Sequence, residues 1–321
     1  MNTLSIFPQL LTNFSQKEYE QMNTLVTGGA GFIGSHLVKT LLDAGHSVVC
    51  VDNASSEGHE SFKWDSRAKN LLIDINDLTV TDFHGIDVVF QMAAEVSIPR
   101  CIADPNKTFK SNCTGTFHML NCASKASVSK FIFSSTSAIY GNGTKENVPQ
   151  TEKDIEDCLN IYATTKLMSE KLCQLYSKEI DTICLRYFNV YGEGQSNKGQ
   201  YCPVVAVFRK QLEQEVPLTV VGDGEQTRDY IHVSDIVSAN ISASVMKERG
   251  NGRIVNIGTG KAHSVNHIAR MITGENGKVV FVPARKGEAR HTLCDNTLAK
   301  HLLSWQPVVQ LTQWLHKQTT K

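Results

Sequence analysis

The sequence predicts an α/β fold, a doubly wound parallel sheet with a smaller C-terminal lobe. Three observations lead to it. Short apolar runs alternate with helical stretches from residue 24 onward. The runs are rich in Val, Ile, Leu or Phe and do not alternate polar with apolar, as suits strands covered on both faces. The first run opens into a glycine-rich turn followed by an amphipathic helix. With 321 residues, 41% of them hydrophobic and 20% charged, the chain is large enough to bury a core without staples, and its composition excludes long disorder.

Strands are expected over residues 24–27, 47–51, 70–73, 87–91, 130–134 and 182–186, with helices between them over 32–44, 105–125 and 161–178. Beyond Tyr191 the texture changes. Gly and polar residues punctuate 192–200, followed by a helix over 203–215, a strand over 218–221 and a turn at 222–224. A strand over 254–257, a helix over 264–273 and two helical pieces within 297–317, broken at Pro307, complete the chain. Residues 23–190 therefore read as the sheet domain and 191–321 as the smaller lobe, interleaved because 182–191 still completes the sheet. Residues 1–22 read as an N-terminal appendage: a leader before an alternative start at Met22, or a short helix over 17–21 covering the sheet edge.

Composition narrows the partners. Lys plus Arg and Asp plus Glu each number 32, so the net charge is zero and no basic footprint for nucleic acid exists. No run of 18 apolar residues is present to span a membrane, and residues 1–22 lack the pattern of a signal peptide. The nine cysteines are odd in number and form no C-x-x-C pair. They read as free thiols of a reducing, cytoplasmic compartment rather than as disulfides or zinc ligands.

The first chemical motif is Gly28-x-x-Gly31-x-x-Gly34. Gly28 permits a tight turn off the strand, Gly31 a close backbone approach to a pyrophosphate, and Gly34 close helix–sheet packing. The helix that starts at Phe32 and Ile33 aims its free N–H groups and positive dipole end at the anion. Such a triplet alone is weak, but here a strand precedes it and an amphipathic helix follows. Asp52, ending the second strand beside Asn53, lies 18 residues beyond Gly34, close to the spacing of a ribose-binding acid. Its carboxylate repels a 2′-phosphate, which favours NAD over NADP. Asp74 and Ile75, after the third strand, are placed to hold the adenine edge. The competing use of either Asp is a turn cap.

The second motif is Tyr162-Ala-Thr-Thr-Lys166. Four residues make about one helical turn, so both side chains share a face. A free Tyr is a poor base at neutral pH, but a neighbouring ammonium and an oxidised nicotinamide stabilise its phenolate. A Tyr/Lys pair by itself is common on helix surfaces. A third segment shifts the balance: the buried strand from Phe131 runs through Ser134, Ser135, Thr136 and Ser137 at its carboxyl end, where open α/β sheets bind ligands. Thr136 is suited to donate a hydrogen bond to a substrate oxygen, while the three serines read as loop or helix-cap residues.

Together these segments resemble the extended short-chain dehydrogenase/reductase family, whose fold is of Rossmann type. The resemblance is closest to nucleotide-sugar epimerases of the UDP-glucose and UDP-N-acetylglucosamine 4-epimerase kind. It runs from residue 23 to about 307 and includes TGGAGFIGSH, VDN, SSTSAIYG, YATTK, LRYFNVYG and GDGEQTRDYIHV. It implies NAD as cofactor, a UDP-sugar as substrate, Thr136 at the catalytic Ser/Thr position, Tyr162 as base and Lys166 as the residue that lowers its pKa and binds nicotinamide ribose. It further implies that Asn189 and Arg228 hold the nucleotide diphosphate and that Arg285 and Glu288 bind phosphate and ribose. The fork of an Arg suits a phosphate, although each arginine alone reads as a surface charge. A homodimer packed through 105–125 and 161–178 is implied as well, unless those apolar faces pack only on their own sheet.

The family's dehydratases carry acids after the catalytic Thr, and its UDP-glucuronate decarboxylases a Glu at the second position. Ser137 and Ala138 stand there instead, which disfavours elimination and decarboxylation and leaves 4-epimerisation. The position of Thr292 gates the sugar pocket in the resemblance, and a Thr leaves room for a 2-acetamido group. Arg100 and residues 287–292 also resemble UDP-N-acetylhexosamine 4-epimerases. UDP-GlcNAc/UDP-GalNAc are the expected substrates, with UDP-glucose/UDP-galactose the close rival. Glu95 adds a carboxylate near the expected sugar pocket, which counts against a glucuronate substrate. A net 4-keto-sugar reductase and a non-catalytic NAD-binding scaffold are the other readings.

Overall fold

The computed structural model describes residues 21–56, 64–142, 148–196, 203–274, 277–284 and 289–319. Of the appendage, only Gln21 and Met22 are described; Met22 packs against the core beside the first strand, and the helix expected over 17–21 lies outside the described residues but for Gln21.

Among the described residues twelve strands follow in chain order: β1 (Asn23–Thr27), β2 (Ser47–Asp52), β3 (Lys69–Leu72), β4 (Val88–Gln91), β5 (Lys130–Thr136), β6 (Asp181–Tyr187), β7 (Asn189–Tyr191), β8 (Leu218–Val221), β9 (Thr227–His232), β10 (Arg253–Ile257), β11 (Ala262–Ser264) and β12 (Val279–Val282). Seven form one parallel sheet in the order β10-β6-β5-β4-β1-β2-β3. The order reverses between β1 and β4, which opens a crevice at the carboxyl ends of those strands.

The helices are α1 (Phe32–Asp43), α2 (Ile98–Ala103), α3 (Pro105–Phe109), α4 (Gly115–Lys125), α5 (Ile161–Tyr176), α6 (Val204–Glu213), α7 (Val233–Val245), α8 (Val265–Thr273), α9 (Thr297–Leu302) and α10 (Leu311–Thr319). Successive strand residues feed opposite layers, which is why the runs do not alternate. Val26, Phe90, Ile132 and Leu185 meet Leu37 and Leu41 of α1 and Ile236 and Ala239 of α7. Leu25, Val89, Phe131 and Phe133 meet Met119 and Leu120 of α4 and Cys173 of α5. Each fully buried Leu or Phe contributes roughly 1.5–3 kcal/mol. A third cluster joins Phe208, Val220, Ile268 and Trp314 in the smaller lobe.

Three expectations change. The run expected over 70–73 is β3, an edge strand with only one neighbour, and its Leu72 is 72% exposed rather than covered. The strand expected in the smaller lobe at 254–257 is β10, which pairs with β6 in the large sheet, with Val255 and Ile257 fully buried. Its apolar residues need two covering layers, and only the large sheet provides them. The helix expected over 105–125 is interrupted by a π turn at Lys110–Thr114 that buries Asn112 and Cys113. Among the described residues no helix is long and apolar enough to cross a membrane, and the described cysteines are free.

Candidate active site

A cleft of about 500 Å³ lies along the carboxyl ends of the large sheet. Gly28, Gly31, Phe32, Ile33, Gly34, Asp52, Asn53, Asp74 and Ile75 line one part of it. Thr136, Tyr162, Lys166, Arg100, Asn189, Arg228 and Thr292 line the rest. Arg285 and Glu288 lie outside the described residues.

At the crevice β1 is followed by Gly28, whose φ of +63° favours glycine, and a Cβ there would stand 3.0 Å from the Ala93 nitrogen. A Cβ on Gly34 would lie 2.1 Å from the Gly28 carbonyl oxygen, so the first turn of α1 sits directly on the glycine loop. Gly31 is the N-cap of α1 and brings no side-chain acceptor, which leaves first-turn N–H groups for an anion. Asp52 is buried at the end of β2; its Oδ2 accepts from the Ala30 N–H at 3.1 Å and its Oδ1 from the Ala54 N–H at 2.8 Å. Burial raises the Asp74 carboxyl, but the Asn76 backbone, the Asn76 side chain and the Asn53 amide outweigh it and hold the pKa below the ordinary value. One fastener escaped the sequence reading: Thr27 Oγ1 donates to Gln91 Oε1 at 2.9 Å and accepts from the N–H groups of Met92 and Ala93, both at 3.0 Å. It ties β1 to β4 at the crevice.

Asn160 caps α5 by accepting from the Ala163 N–H at 2.9 Å, so the helix starts one residue before Tyr162. Tyr162 is half-buried and faces the cleft. One turn on, Lys166 is buried and donates to the Ser134 carbonyl at 2.7 Å, its ammonium 4.8 Å from the centre of the Phe133 ring. Burial lowers the Lys166 pKa to about 8. Thr136 ends β5, and its Oγ1 accepts from the Ala138 N–H at 3.2 Å. Ser134 and Ser135, expected as loop or cap residues, belong to β5 and turn their hydroxyls inward. Ser134 bonds the Tyr187 hydroxyl at 3.0 Å, and Ser135 donates to Glu170 Oε1 at 2.5 Å. Glu170 and Arg186, both fully buried, form a two-pronged ion pair at 2.8 and 2.7 Å that the sequence reading did not contain.

On the other side, the Asn189 amide donates to Thr292 Oγ1 at 3.2 Å and to the Asp229 carbonyl at 3.3 Å. Arg228 donates to the carbonyls of Thr227, Arg290 and Ala289 at 2.9, 3.1 and 2.5 Å, which ties β9 to the segment carrying Thr292. Asp229, beside it, collects the N–H groups of Thr259, Gly260 and Cys294, and burial still pushes its carboxyl up. Arg100 pairs with Glu95 and donates to the Ser55 carbonyl at 3.2 Å, in the loop that follows Asp52. Its guanidinium is thus engaged on the side of the cleft lined by Asp52 and Asn53. The carboxylate that Glu95 adds to this cleft is thus matched by an Arg. Asn112 of the π turn fixes Glu95 by accepting its N–H at 2.7 Å and donating to its carbonyl at 3.0 Å.

The arrangement offers a phenol, a buried ammonium four residues on along the same helix, a hydroxyl at a strand end and an anion cradle lining one crevice. No group of three or more metal-binding side chains occurs among the described residues. Residues 24–258 match the model of the "NAD dependent epimerase/dehydratase family". Among solved structures, UDP-glucose 4-epimerase from Thermotoga maritima with UDP-glucose is 37% identical, with a TM-score of 0.86 over 93% of this chain and 98% of that one. UDP-glucuronic acid 4-epimerase from Bacillus cereus in complex with UDP-glucuronic acid and NAD is 31% identical, with a TM-score of 0.84 over 93% and 98%. UDP-N-acetylglucosamine 4-epimerase from Methanobrevibacter ruminantium M1 in complex with UDP-N-acetylmuramic acid is 28% identical, with a TM-score of 0.86 over 94% and 98%.

Proposed function

Because the chain belongs to the NAD dependent epimerase/dehydratase family, we propose that it is an NAD-dependent 4-epimerase of UDP-hexoses, acting on UDP-GlcNAc/UDP-GalNAc, with UDP-glucose/UDP-galactose as the rival pair. The observation that carries this reading is the meeting of Thr136, Tyr162 and Lys166 in the cleft that Gly28 and Asp52 also line. The glycine positions where a Cβ would collide, the uncapped start of α1 and the Asp52 carboxylate fit the pyrophosphate and ribose of NAD. The NAD held there would supply a reversible hydride acceptor for the sugar C4.

The chain's own groups do the rest. Tyr162 removes the proton of the 4-hydroxyl while Thr136 hydrogen-bonds the same oxygen, and Lys166 stabilises the phenolate. The 4-keto sugar turns about its diphosphate, with Asn189, Arg228, Arg285 and Glu288 holding the nucleotide, and Tyr162 gives the proton back. Binding energy placed on the nucleotide keeps the keto sugar from escaping without clamping the ring. Thr292 is short and leaves room for a 2-acetamido group, and no carboxylate follows Thr136 to drive elimination or decarboxylation. A second reading, UDP-glucuronate as substrate, draws on the pairing of Glu95 with Arg100, which removes the repulsion expected of a free carboxylate. We further propose a cytoplasmic homodimer packed through α4 and α5, which carry the exposed Phe117, Met168 and Leu175.

The test is to equilibrate the purified protein with UDP-GlcNAc, UDP-glucose and UDP-glucuronate separately. The C4 epimer appears without net formation of NADH, and Tyr162→Phe lowers the rate by roughly 10²- to 10⁴-fold. Conversion of UDP-glucose but not UDP-GlcNAc overturns the substrate ranking. Steady consumption of NAD(P)H identifies a net reductase instead, and a Tyr162→Phe variant that converts sugar at the parent rate removes the mechanism.

A further inference from the structure

Tyr162, Lys166 and Glu170 stand four residues apart on α5. Each step of four turns about 40° around a helix, so the row winds from the cleft into the helix–sheet interface. Burial follows that winding: Tyr162 is half-buried, Lys166 is 3% exposed and Glu170 is 0% exposed. At the buried end Glu170 is fastened to two strands. Ser135 of β5 donates to its Oε1, and Arg186 of β6 forks onto both oxygens. Ser135 and Arg186 are register partners in the β5–β6 ladder, and the next pair along is Thr136 and Tyr187. The carboxylate that anchors α5 is therefore bonded to the residue immediately before Thr136.

Arg186 is held in turn. Its Nη2 reaches Glu156 Oε1 at 3.3 Å, and its guanidinium lies 4.8 Å from the centre of the Tyr140 ring, whose hydroxyl donates to Asn256 at 2.7 Å. A core aliphatic pair would fill this volume at no desolvation cost, so the retained charges call for a use beyond packing. We propose that the Glu170–Arg186 pair, with Ser135, is a positioning device for the reaction. It sets α5 against the end of β5 so that Tyr162 and Thr136 address one oxygen, and it keeps a negative charge one turn from Lys166 so that the ammonium persists. The proposal rests on the reading of Tyr162 and Lys166 given above.

The titratable groups that act on Lys166 are Cys173 and Glu170 on its own helix and Cys184 of β6. Burial lowers its pKa; Cys173, Glu170 and Cys184 oppose that, and Glu170 is the only carboxylate among them. Removing Glu170 thus takes away support for the protonated amine in a group that already titrates close to neutrality.

The experiment compares the NAD-bound parent with Glu170→Gln and with Glu170→Met/Arg186→Met, which leaves no orphaned buried charge. For each, kcat, KM and the pH dependence of kcat are measured with UDP-GlcNAc and UDP-glucose. In whichever variant purifies folded, kcat falls about tenfold, the alkaline limb moves about one pH unit lower, and KM and NAD content stay within about twofold. Ser135→Ala keeps both charges; its kcat falls while its alkaline limb stays at the parent pH. Parent-like kcat and limb in a folded charge variant overturn the proposal, as does an equal limb shift in Ser135→Ala. Tyr162→Phe is measured alongside. If it retains the parent rate, the reading of the site fails as well; if it is inactive while the charge variants behave as the parent, this proposal alone fails.

Discussion

Lys166 is a lysine buried against an aromatic ring with its pKa drawn down to about 8. Between that value and the ordinary lysine pKa of about 10.4, the unfolded chain binds the proton and the folded chain does not. Stability contributed at this site therefore rises with pH across the window, and below it the buried ammonium is a net cost. The expected result is that the denaturant midpoint of the cofactor-free protein climbs relative to Lys166→Met between pH of about 8 and 10. Parallel midpoints for the two proteins would refute it. In the same window the rate is expected to fall if Tyr162 and Lys166 act as proposed, because a Tyr162 phenolate would lose its counter-charge. A group can thus lower activity and raise stability as it loses one proton. The residues legible in the sequence were those whose chemistry is carried by near neighbours: Gly28 to Gly34, Tyr162 to Lys166, and Asp52 at a fixed distance from the glycines. Glu170, Arg186 and Gln91 carried no such signal. Their partners stand 16 and 64 residues away, and the packing of α5 on β6 and the pairing of β1 with β4 bring them together.

The interruption between α3 and α4 has a definite product. One extra residue per turn across Lys110–Thr114 turns Asn112 inward, where it meets both backbone groups of Glu95 and the Thr165 hydroxyl at 3.0 Å. Thr165 precedes Lys166, so the π turn touches the loop after β4 and α5 beside Lys166 at once. Asn112→Ala strands these buried groups and is expected to cost about 1–3 kcal/mol by urea denaturation. A change below a few tenths of a kcal/mol would show that water replaces the amide there. Periodicity could not reveal this turn, because the apolar spacing on either side is that of an ordinary helix. The same limit explains β3 and β10: local composition marks a strand, but its place at an edge or in the middle depends on which neighbours arrive. The strands that were expected fall within a residue or two of their observed bounds because glycine, proline and polar clusters bracket them, whereas β7, β9, β11 and β12 were not expected.

At the scale of the whole molecule, α4 and α5 present large apolar side chains to solvent among the described residues. Phe117 on α4 and Leu175 on α5 are 46% and 66% exposed, and Phe117 meets Tyr176 edge-on at 6.2 Å. Size-exclusion chromatography with light scattering is expected to give twice the 35.5 kDa chain mass for the parent, and the chain mass for Phe117→Glu/Leu175→Glu. A monomeric parent would leave these residues as ordinary surface. The route of the chain has a further outcome. The large sheet is closed at one side by β10, which is made only after β7, β8 and β9 of the other lobe. While the protein is being synthesised, β6 is an open edge until residue 257 has left the ribosome, and it is the strand that holds Arg186. Ribosome-released fragments ending before Arg253 should therefore associate through that edge and pellet, whereas fragments ending after Ile257 should hold it covered.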